Sequence, residues 1–309
     1  MKRVVLFWLN VFFSMSKLPK MNLLLHLFKD DKVVQIHKTD TKINYVFQEF
    51  FTKCARYSTG NKNIYKTIHV MDDGRGYQMR LNVNEFTQCG YYFGNSNPDL
   101  YKVIQSFSKG IFIDIGANVG YFSLLGSSHF DKVLAFEPAP DTFSDLNHNI
   151  ALSKVGNIKP FAVALSEKLG TMSLFVNPLN RGGSSLNGFD HSVEEAFFRK
   201  GGIIKHDVIV ETLDNIVKLE NLNTPIALIK IDVEGHEEQV IKGAYQTLSR
   251  YSPVLFVEIT TSEQFLRVRD LLPSHYKAYK PDLSEEIIFN SKKTWAFSDV
   301  VFSTHELNI

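Results

Sequence analysis

From residue 111 onwards, short apolar segments alternate with segments in which apolar residues recur at helical spacing. Residues 111–115 are almost wholly apolar, as expected for a strand buried on both faces. Phe143, Leu146 and Ile150 then lie three or four residues apart, as on one face of a helix, and Val240, Ala244 and Leu248 predict another helix. Further strands are predicted at 132–136, 158–163, 226–231, 254–259, 276–279 and 299–303. The alternation predicts an α/β fold with a doubly wound, mostly parallel, seven-stranded Rossmann-like sheet.

The first hundred residues have a different pattern and predict an N-terminal extension, with 101–309 as the main domain. Two β-like segments, 64–70 and 77–83, flank the turn sequence Asp72-Asp73-Gly74-Arg75-Gly76 and predict a hairpin. Apolar segments at 4–13 and 21–28 predict one or two amphipathic helices. The first is too short to span a bilayer. Because lysines flank its aromatic side chains, peripheral contact of this end with a membrane stays open.

A polar, Gly-rich stretch covers residues 177–202. It follows an extra predicted strand at 172–176 and precedes renewed strand character at 206–213. Loops of this length inside a compact domain are usually functional or mobile. We therefore expect a lid or substrate loop over 177–202.

The charge balance constrains the partners. The chain has 34 basic and 33 acidic side chains, a net charge of +1. Binding to a nucleic-acid backbone requires a basic surplus or stripe, so we expect a small-molecule or glycan acceptor and no nucleic acid. The cysteines Cys54 and Cys89 cannot build a disulfide framework and suit a reducing compartment. We expect a cytoplasmic protein.

The segment from Asp114 to Gly120 follows the first strand of the predicted parallel sheet. In such sheets, ligands bind beyond the carboxyl ends of the strands. Gly116 permits a tight turn, and Gly120 permits close approach of helix and strand. Glu137 ends the next strand, about 20 residues after Gly116, which is the spacing of an acidic side chain that binds ribose hydroxyls. The segment predicts a site for an adenosine-bearing cofactor.

The residue types in this segment distinguish between cofactors. A dinucleotide site needs a second glycine beside the pyrophosphate, and that position is Asn118. Asp114 would repel a phosphate, whereas a carboxylate suits the ammonium group of a methionine moiety. S-adenosylmethionine carries an ammonium, a sulfonium and a ribose, but no phosphate, so the sequence favours it. An NAD(P)-dependent reductase and a non-catalytic cofactor-binding subunit remain as alternatives.

A second group of ionisable residues, Lys230 to Glu237, ends another apolar strand. Asp232 is predicted to contact or orient the acceptor, with Glu234 beside it, and His236 is a candidate general base. Two interpretations of His236 stay open, since it could instead make local hydrogen bonds at a helix start. Asp232, Glu234 and Glu258 could hold a hard cation such as Mg²⁺. The HExxH pattern is absent because residue 240 is valine, and we assign no metal.

Several motifs together resemble the FkbM-type methyltransferases. They are DIGANVG at 114–120, FEP at 136–138, TLD at 212–214, KIDVEGHE at 230–237 and FVE at 256–258. The resemblance implies a class I fold and O-methylation of hydroxyls on sugars, glycans or natural products. It places Asp114, Gly116, Asn118, Gly120 and Glu137 at the cofactor and Asp232 to His236 at the active-site edge. Transfer to nitrogen or to a carboxylate is the closest alternative.

Overall fold

The computed structural model describes residues 32–35, 52, 63–72, 74–94, 96–188, 202–222, 224–288 and 299–305. These residues form two compact units. One comprises the described residues up to Ser96 with Asn177–Gly182 and Gly202, and the other comprises the rest. The helices predicted at 4–13 and 21–28 lie outside the described residues. Within the described ranges, no helix is both long enough and apolar enough to cross a membrane.

The first unit contains a three-stranded sheet in the order β1-β2-β3. Its strands are β1 (Lys32–Gln35), β2 (Tyr65–Asp72) and β3 (Arg75–Asn82). β2 and β3 are antiparallel with Asp72 opposite Arg75, which confirms the predicted hairpin. Helix α1 (Phe86–Tyr92) follows, and the Glu85 carboxylate accepts hydrogen bonds from the amides of Thr87 and Gln88 at its start.

The second unit is organised around the predicted seven-stranded sheet. Its strands are β4 (Ile111–Ile115), β5 (Lys132–Phe136), β6 (Ile158–Phe161), β11 (Ile226–Ile231), β12 (Val254–Glu258), β13 (Lys277–Tyr279) and β14 (Asp299–Ser303). They lie in the order β13-β14-β12-β11-β4-β5-β6. The neighbours from β12 to β6 are parallel, and β14 runs antiparallel to β12 and β13. The predicted α/β fold with a mostly parallel sheet is confirmed.

The strand order reverses between β4 and β11. The chain proceeds from β4 outward through β5 and β6, whereas β11 and β12 lie on the other side. The carboxyl ends of β4 and β11 therefore form the switch point, where a crevice for ligands opens in sheets of this type. The helices of this unit are α2 (Pro98–Gln105), α3 (Tyr121–Gly126), α4 (Pro140–Ser153), α5 (Leu213–Leu219), α6 (Glu237–Lys242), α7 (Tyr245–Tyr251) and α8 (Ser262–Leu271).

The helix predicted through Val240, Ala244 and Leu248 is in fact two helices. All three side chains are buried, as predicted, but α6 ends at Lys242 and α7 begins at Tyr245. At the break, a Cβ on Gly243 would lie 1.9 Å from the carbonyl oxygen of Ser166. Only glycine allows this close approach. The spacing of the apolar residues does not reveal such a backbone contact, so it did not predict the break in the helix.

Four further strands form a second sheet in this region. They are β7 (Ala164–Leu165), β8 (Gly170–Asn177), β9 (Asn180–Ser185) and β10 (Ile204–Glu211), in the order β7-β10-β8-β9. β8 confirms the extra strand predicted at 172–176. The loop predicted over 177–202 is wrong in its first part, because a two-residue connection returns the chain as β9. Residues 189–201 of that loop lie outside the described residues.

Candidate active site

The loop between β4 and α3 has the backbone conformation that its glycines were predicted to allow. Gly116 and Gly120 have φ angles of 78° and 88°. A Cβ on Gly116 would lie 1.9 Å from the carbonyl oxygen of Asp232, and one on Gly120 would lie 2.6 Å from Leu146 Cδ1. The tight turn predicted at Gly116 is confirmed. At Gly120 the close approach is to a side chain of helix α4 and not, as predicted, to a strand. The Asp232 amide also donates to the Ile115 carbonyl, so this loop contacts the one after β11.

The backbone amides of residues 116–120 are all paired inside the protein. Asn118, in the left-handed region at a φ of 51°, contributes its side-chain oxygen to this pairing. An amide that is already hydrogen-bonded is not available to cradle a phosphate. The acceptors are the Phe136 carbonyl for Gly116 and Ala117, Glu137 Oε2 for Asn118, Asn118 Oδ1 for Val119 and the Ala117 carbonyl for Gly120.

Glu137 lies directly after β5, beside this loop. Its Oε2 accepts from the Asn118 amide at 3.0 Å, and its Oε1 accepts from the Ala139 amide at 2.9 Å. Burial raises the pKa of Glu137 to about 7, although the two amides and Lys230 oppose the shift. The side chain therefore changes its charge close to neutral pH.

Asp114 and Lys230 form a buried ion pair on neighbouring strands. They lie opposite each other on β4 and β11, and Lys230 Nζ is 3.3 Å from Asp114 Oδ1. Ser123 Oγ donates to Asp114 Oδ2 at 2.6 Å. Lys230 Nζ is also 3.3 Å from Asp232 Oδ2. Burial acts to lower the pKa of Lys230, but the carboxylates of Asp232 and Asp114 outweigh it and raise the pKa above its usual value.

Three carboxylates meet at the carboxyl ends of β11 and β12. Asp232, Glu234 and Glu258 each place one oxygen within 4.8 Å of the others. Burial raises the pKa of Glu258 to about 10, and the nearby charges of Asp232 and Glu234 add to the shift. These are the residues that the sequence left open as ligands of a hard cation. A proton on Glu258 would reduce the negative charge of the cluster by one.

His236 is 3% exposed and has hydrogen-bonding contacts at both ring nitrogens. Ser166 Oγ lies 2.9 Å from Nε2, and Asn187 Oδ1 lies 3.4 Å from Nδ1. Because Asn187 Nδ2 donates to the Gly235 carbonyl, its Oδ1 faces the ring. We therefore assign the hydrogen to Nδ1, so that Nε2 accepts from Ser166. Burial lowers the pKa of His236, with partial opposition from Glu167. The ring contacts residues that lie 70 and 49 positions away in the chain. It makes no side-chain capping bond at the start of α6, so the structure shows neither the local hydrogen bonds nor a substrate contact.

Two further side chains, through three hydrogen bonds, fix the turn that carries Asp232 and Glu234. Ser185, at the end of β9, donates from its hydroxyl to the Glu234 carbonyl at 3.0 Å. Glu237 Oε1 accepts from the amides of Val233 and Gly235, at 3.2 and 3.1 Å. Glu237 and Glu238 both lie in the first turn of α6, where acidic residues are favoured.

Comparison with known proteins identifies the family. Residues 114–281, more than half of the chain, match the methyltransferase FkbM domain. The chain belongs to the FkbM methyltransferase family. The resemblance drawn from the DIGANVG and KIDVEGHE motifs is confirmed.

Two curated relatives and a solved structure are similar to this FkbM-family chain. Methyltransferase sdnD from Sordaria araneosa is 33% identical over 164 residues, which cover 46% of this chain and 63% of that protein. Hexuronic acid methyltransferase AglP from Haloferax volcanii is 32% identical over 146 residues, which cover 47% and 54%. The matches thus span less than two thirds of either relative. A methyltransferase FkbM from Methylobacillus flagellatus KT is 12% identical, with a TM-score of 0.40 and coverage of 93% of this chain and 58% of that chain.

Sequence reasoning missed three residues of this FkbM-family site. Lys230 was part of a motif but received no role, although it is the one charged residue in the apolar segment that became β11. A buried charge requires a partner, so this position could have been recognised. Ser166 and Asn187 contact His236 from positions far away in the chain. No spacing pattern indicates such contacts.

Proposed function

We propose that this chain is an S-adenosylmethionine-dependent methyltransferase that acts on a hydroxyl of a sugar, glycan or natural product. The observation that carries the proposal is the internal pairing of all five amides of residues 116–120 beside the Glu137 carboxylate. Such a loop offers an acceptor to ribose hydroxyls and no available amide to a pyrophosphate. This supports an adenosine cofactor without phosphate and disfavours a nicotinamide dinucleotide.

The chemistry of the surrounding groups fits S-adenosylmethionine. Glu137, when ionised, would accept hydrogen bonds from the ribose hydroxyls. Asp114 would contribute negative charge towards the methionine ammonium group while Ser123 and Lys230 hold its oxygens. The cofactor itself supplies a methyl group on a positively charged sulfur, which is already activated for transfer.

Asp232 is the residue that we assign to the acceptor hydroxyl. Its side chain is 44% exposed, directly after β11 and in contact with the cofactor loop. It would orient the hydroxyl and accept its proton during transfer, a contribution of about 100- to 10,000-fold for a typical general base. Glu234 lies within reach of the same acceptor, and alignment of acceptor and methyl group supplies much of the remaining rate. His236 holds the turn in place.

Transfer to a carboxylate is a second candidate, and one relative favours it. AglP is named a hexuronic acid methyltransferase, and a hexuronic acid carries both hydroxyls and a carboxylate. A carboxylate is already ionised at neutral pH and needs no base. The substitution Asp232→Asn would therefore lower the rate of transfer to a hydroxyl by about 100- to 10,000-fold but leave transfer to a carboxylate largely intact.

Two experiments test the proposal in sequence. Calorimetric titration with S-adenosylhomocysteine and, separately, with NADH decides the cofactor; binding of NADH alone would contradict the proposal. Labelled methyl transfer is then measured with neutral methyl glycosides, uronic acids and hydroxylated natural products. Mild alkali releases the label from an ester but not from an ether, which separates the two acceptor classes. Cofactor binding without transfer to any acceptor would favour a non-catalytic subunit.

A further inference from the structure

Lys230 places one ammonium group between the two loops of the site. The other residues of β11 are isoleucine, leucine and alanine. The lysine side chain is almost fully buried. Its Nζ lies 2.8 Å from the Gly116 carbonyl oxygen and 3.4 Å from that of Ile115. The same atom lies 3.3 Å from Asp114 Oδ1 and 3.3 Å from Asp232 Oδ2. Both the cofactor loop and the acceptor-side aspartate are therefore held by a single cation.

We infer that Lys230 is a positioning residue that couples cofactor binding to the orientation of Asp232. The inference rests on the proposed function and assigns Lys230 no contact with a substrate. Four groups surround its ammonium: the carbonyls of Ile115 and Gly116 and the carboxylates of Asp114 and Asp232. Loss of the lysine would release all four at once.

The coupling follows from how the lysine binds each partner. Asp232 is partly exposed, so its carboxylate would rotate without a fixed contact. Lys230 engages Oδ2, which orients the side chain and leaves Oδ1 for an acceptor hydroxyl. On the other side, Lys230 holds the Gly116 carbonyl, and the Asn118 amide of the same loop donates to Glu137. A displacement of the cofactor loop would therefore move the Lys230 ammonium group and change the orientation of the Asp232 side chain.

The test uses four single variants, two double variants and a control. Lys230→Met removes the charge and every donor, whereas Lys230→Gln removes the charge but keeps a donor for the Gly116 carbonyl. Lys230→Arg keeps the charge, and Asp232→Asn is made alone and with each neutral substitution. Lys159→Met, which breaks an ion pair with Glu220 elsewhere on the sheet, is the control. The readouts are the affinity for S-adenosylhomocysteine and the kcat and KM for the acceptor found in the transfer screen.

We expect both neutral substitutions to weaken S-adenosylhomocysteine binding by about 10-fold or more, with partial recovery in Lys230→Arg and no change in Lys159→Met. If Lys230 acts through Asp232, the substitution Asp232→Asn lowers kcat by about 100-fold or more when it is made in the unmodified protein. The same substitution made in the Lys230→Gln variant lowers kcat by less than about 3-fold relative to that variant. A purely structural lysine would give additive losses.

The outcomes separate the inference from the proposed function. Failure of the unmodified protein to bind S-adenosylhomocysteine contradicts the proposed function and the inference with it. If the unmodified protein binds S-adenosylhomocysteine, two results would overturn only the role of Lys230. One is unchanged affinity for S-adenosylhomocysteine in Lys230→Gln, and the other is additive losses of kcat in the double variant. If Lys230→Met does not fold, the Lys230→Gln and Lys230→Arg arms decide the question.

Discussion

The Asn118 amide and the Glu137 carboxylate are joined by a hydrogen bond of 3.0 Å between N and Oε2. This bond links the loop after β4 to the end of β5, on the β5 side of β4, whereas the strand order reverses between β4 and β11. It also occupies an amide that would otherwise face a ligand. A molecule entering the crevice therefore meets a carboxylate where a dinucleotide site would present N–H donors.

Glu137→Gln is expected to weaken S-adenosylhomocysteine binding by about 10- to 100-fold, because a hydrogen bond to a charged acceptor contributes about 1.5–3 kcal/mol. With the pKa of Glu137 near 7, the carboxyl gains a proton as the pH falls. Affinity of the unmodified protein should therefore decrease from about pH 8 to about pH 6, and the variant should lose this dependence. Calorimetry at several pH values measures both effects. Glu220→Gln, in a remote ion pair, is the control. Equal affinity across the pH range would contradict the role of Glu137.

Asp232→Asn is expected to lower turnover by about 100- to 10,000-fold with a hydroxyl acceptor, since the amide cannot accept the proton. Cofactor affinity should stay within about 3-fold, because Asp232 is assigned to the acceptor. The rate of S-adenosylhomocysteine formation and a parallel titration measure the two quantities. Asp270→Asn, on the exposed surface of α8, is the matched control. Unchanged turnover with a hydroxyl acceptor would remove Asp232 as the base.

His236→Asn is expected to affect stability more than turnover. It leaves the Ser166 hydroxyl and the Asn187 amide without their partner, at a cost of about 1–3 kcal/mol in the free energy of unfolding. Burial lowers the pKa of His236, so the unfolded chain binds the proton more readily than the folded one. The stability contributed by the neutral ring is present above about pH 6.5 and is lost as the pH falls below it. Denaturant unfolding at acidic and neutral pH should show this loss in the unmodified protein only. A fall in kcat larger than that in Asp232→Asn would restore His236 as the base.

Glu258→Gln is expected to stabilise the protein at neutral and alkaline pH. The pKa of Glu258 is raised from 4.5 to about 10, so the folded state holds the proton more tightly than the unfolded state. The corresponding stability is present below about pH 4.5 and is lost as the pH rises towards 10. Glutamine does not titrate, and the difference between the two proteins should grow with pH. Parallel unfolding curves at all pH values would contradict the raised pKa.

Gly116→Ala is expected to displace the loop after β11 and to impair cofactor binding. The added Cβ would lie 1.9 Å from the Asp232 carbonyl oxygen, in a backbone conformation that alanine rarely adopts. Gly156→Ala is the control, because nothing lies within 4 Å of its Cβ. A lower melting temperature and weaker S-adenosylhomocysteine binding are expected in the first variant alone. Equal behaviour of the two variants would show that the loop can relax around a methyl group.

The sequence was sufficient to locate most of the central sheet. The predictions for 111–115, 132–136, 226–231 and 299–303 coincide with β4, β5, β11 and β14. Strands buried on both faces are apolar along their whole length, which makes them conspicuous in a sequence. β9 has the opposite character, because it contains asparagine, serine and two glycines. Its pairing comes from its neighbours rather than its own β-propensity, so composition alone indicated a loop.

The residues of the candidate site were likewise predictable only in part. The glycines, Asn118 and Glu137 stand at informative spacings, and their backbone roles follow from residue type. The contact of His236 with Ser166 spans 70 positions and depends on how β7 lies against the start of α6. Likewise, the sharing of Lys230 by Asp114 and Asp232 follows from strand register. Register and long-range packing are set by the whole fold, and local patterns do not contain them.

The saturated amides of residues 116–120 have a consequence for competition inside a cell. Hydrogen bonds within the protein fix the loop, so binding would require little loss of backbone freedom. A nucleotide polyphosphate would have to break protein hydrogen bonds and approach a carboxylate before gaining a contact. The site would thus disfavour the binding of ATP and the dinucleotides. This discrimination would not depend on the affinity of the site for its own cofactor.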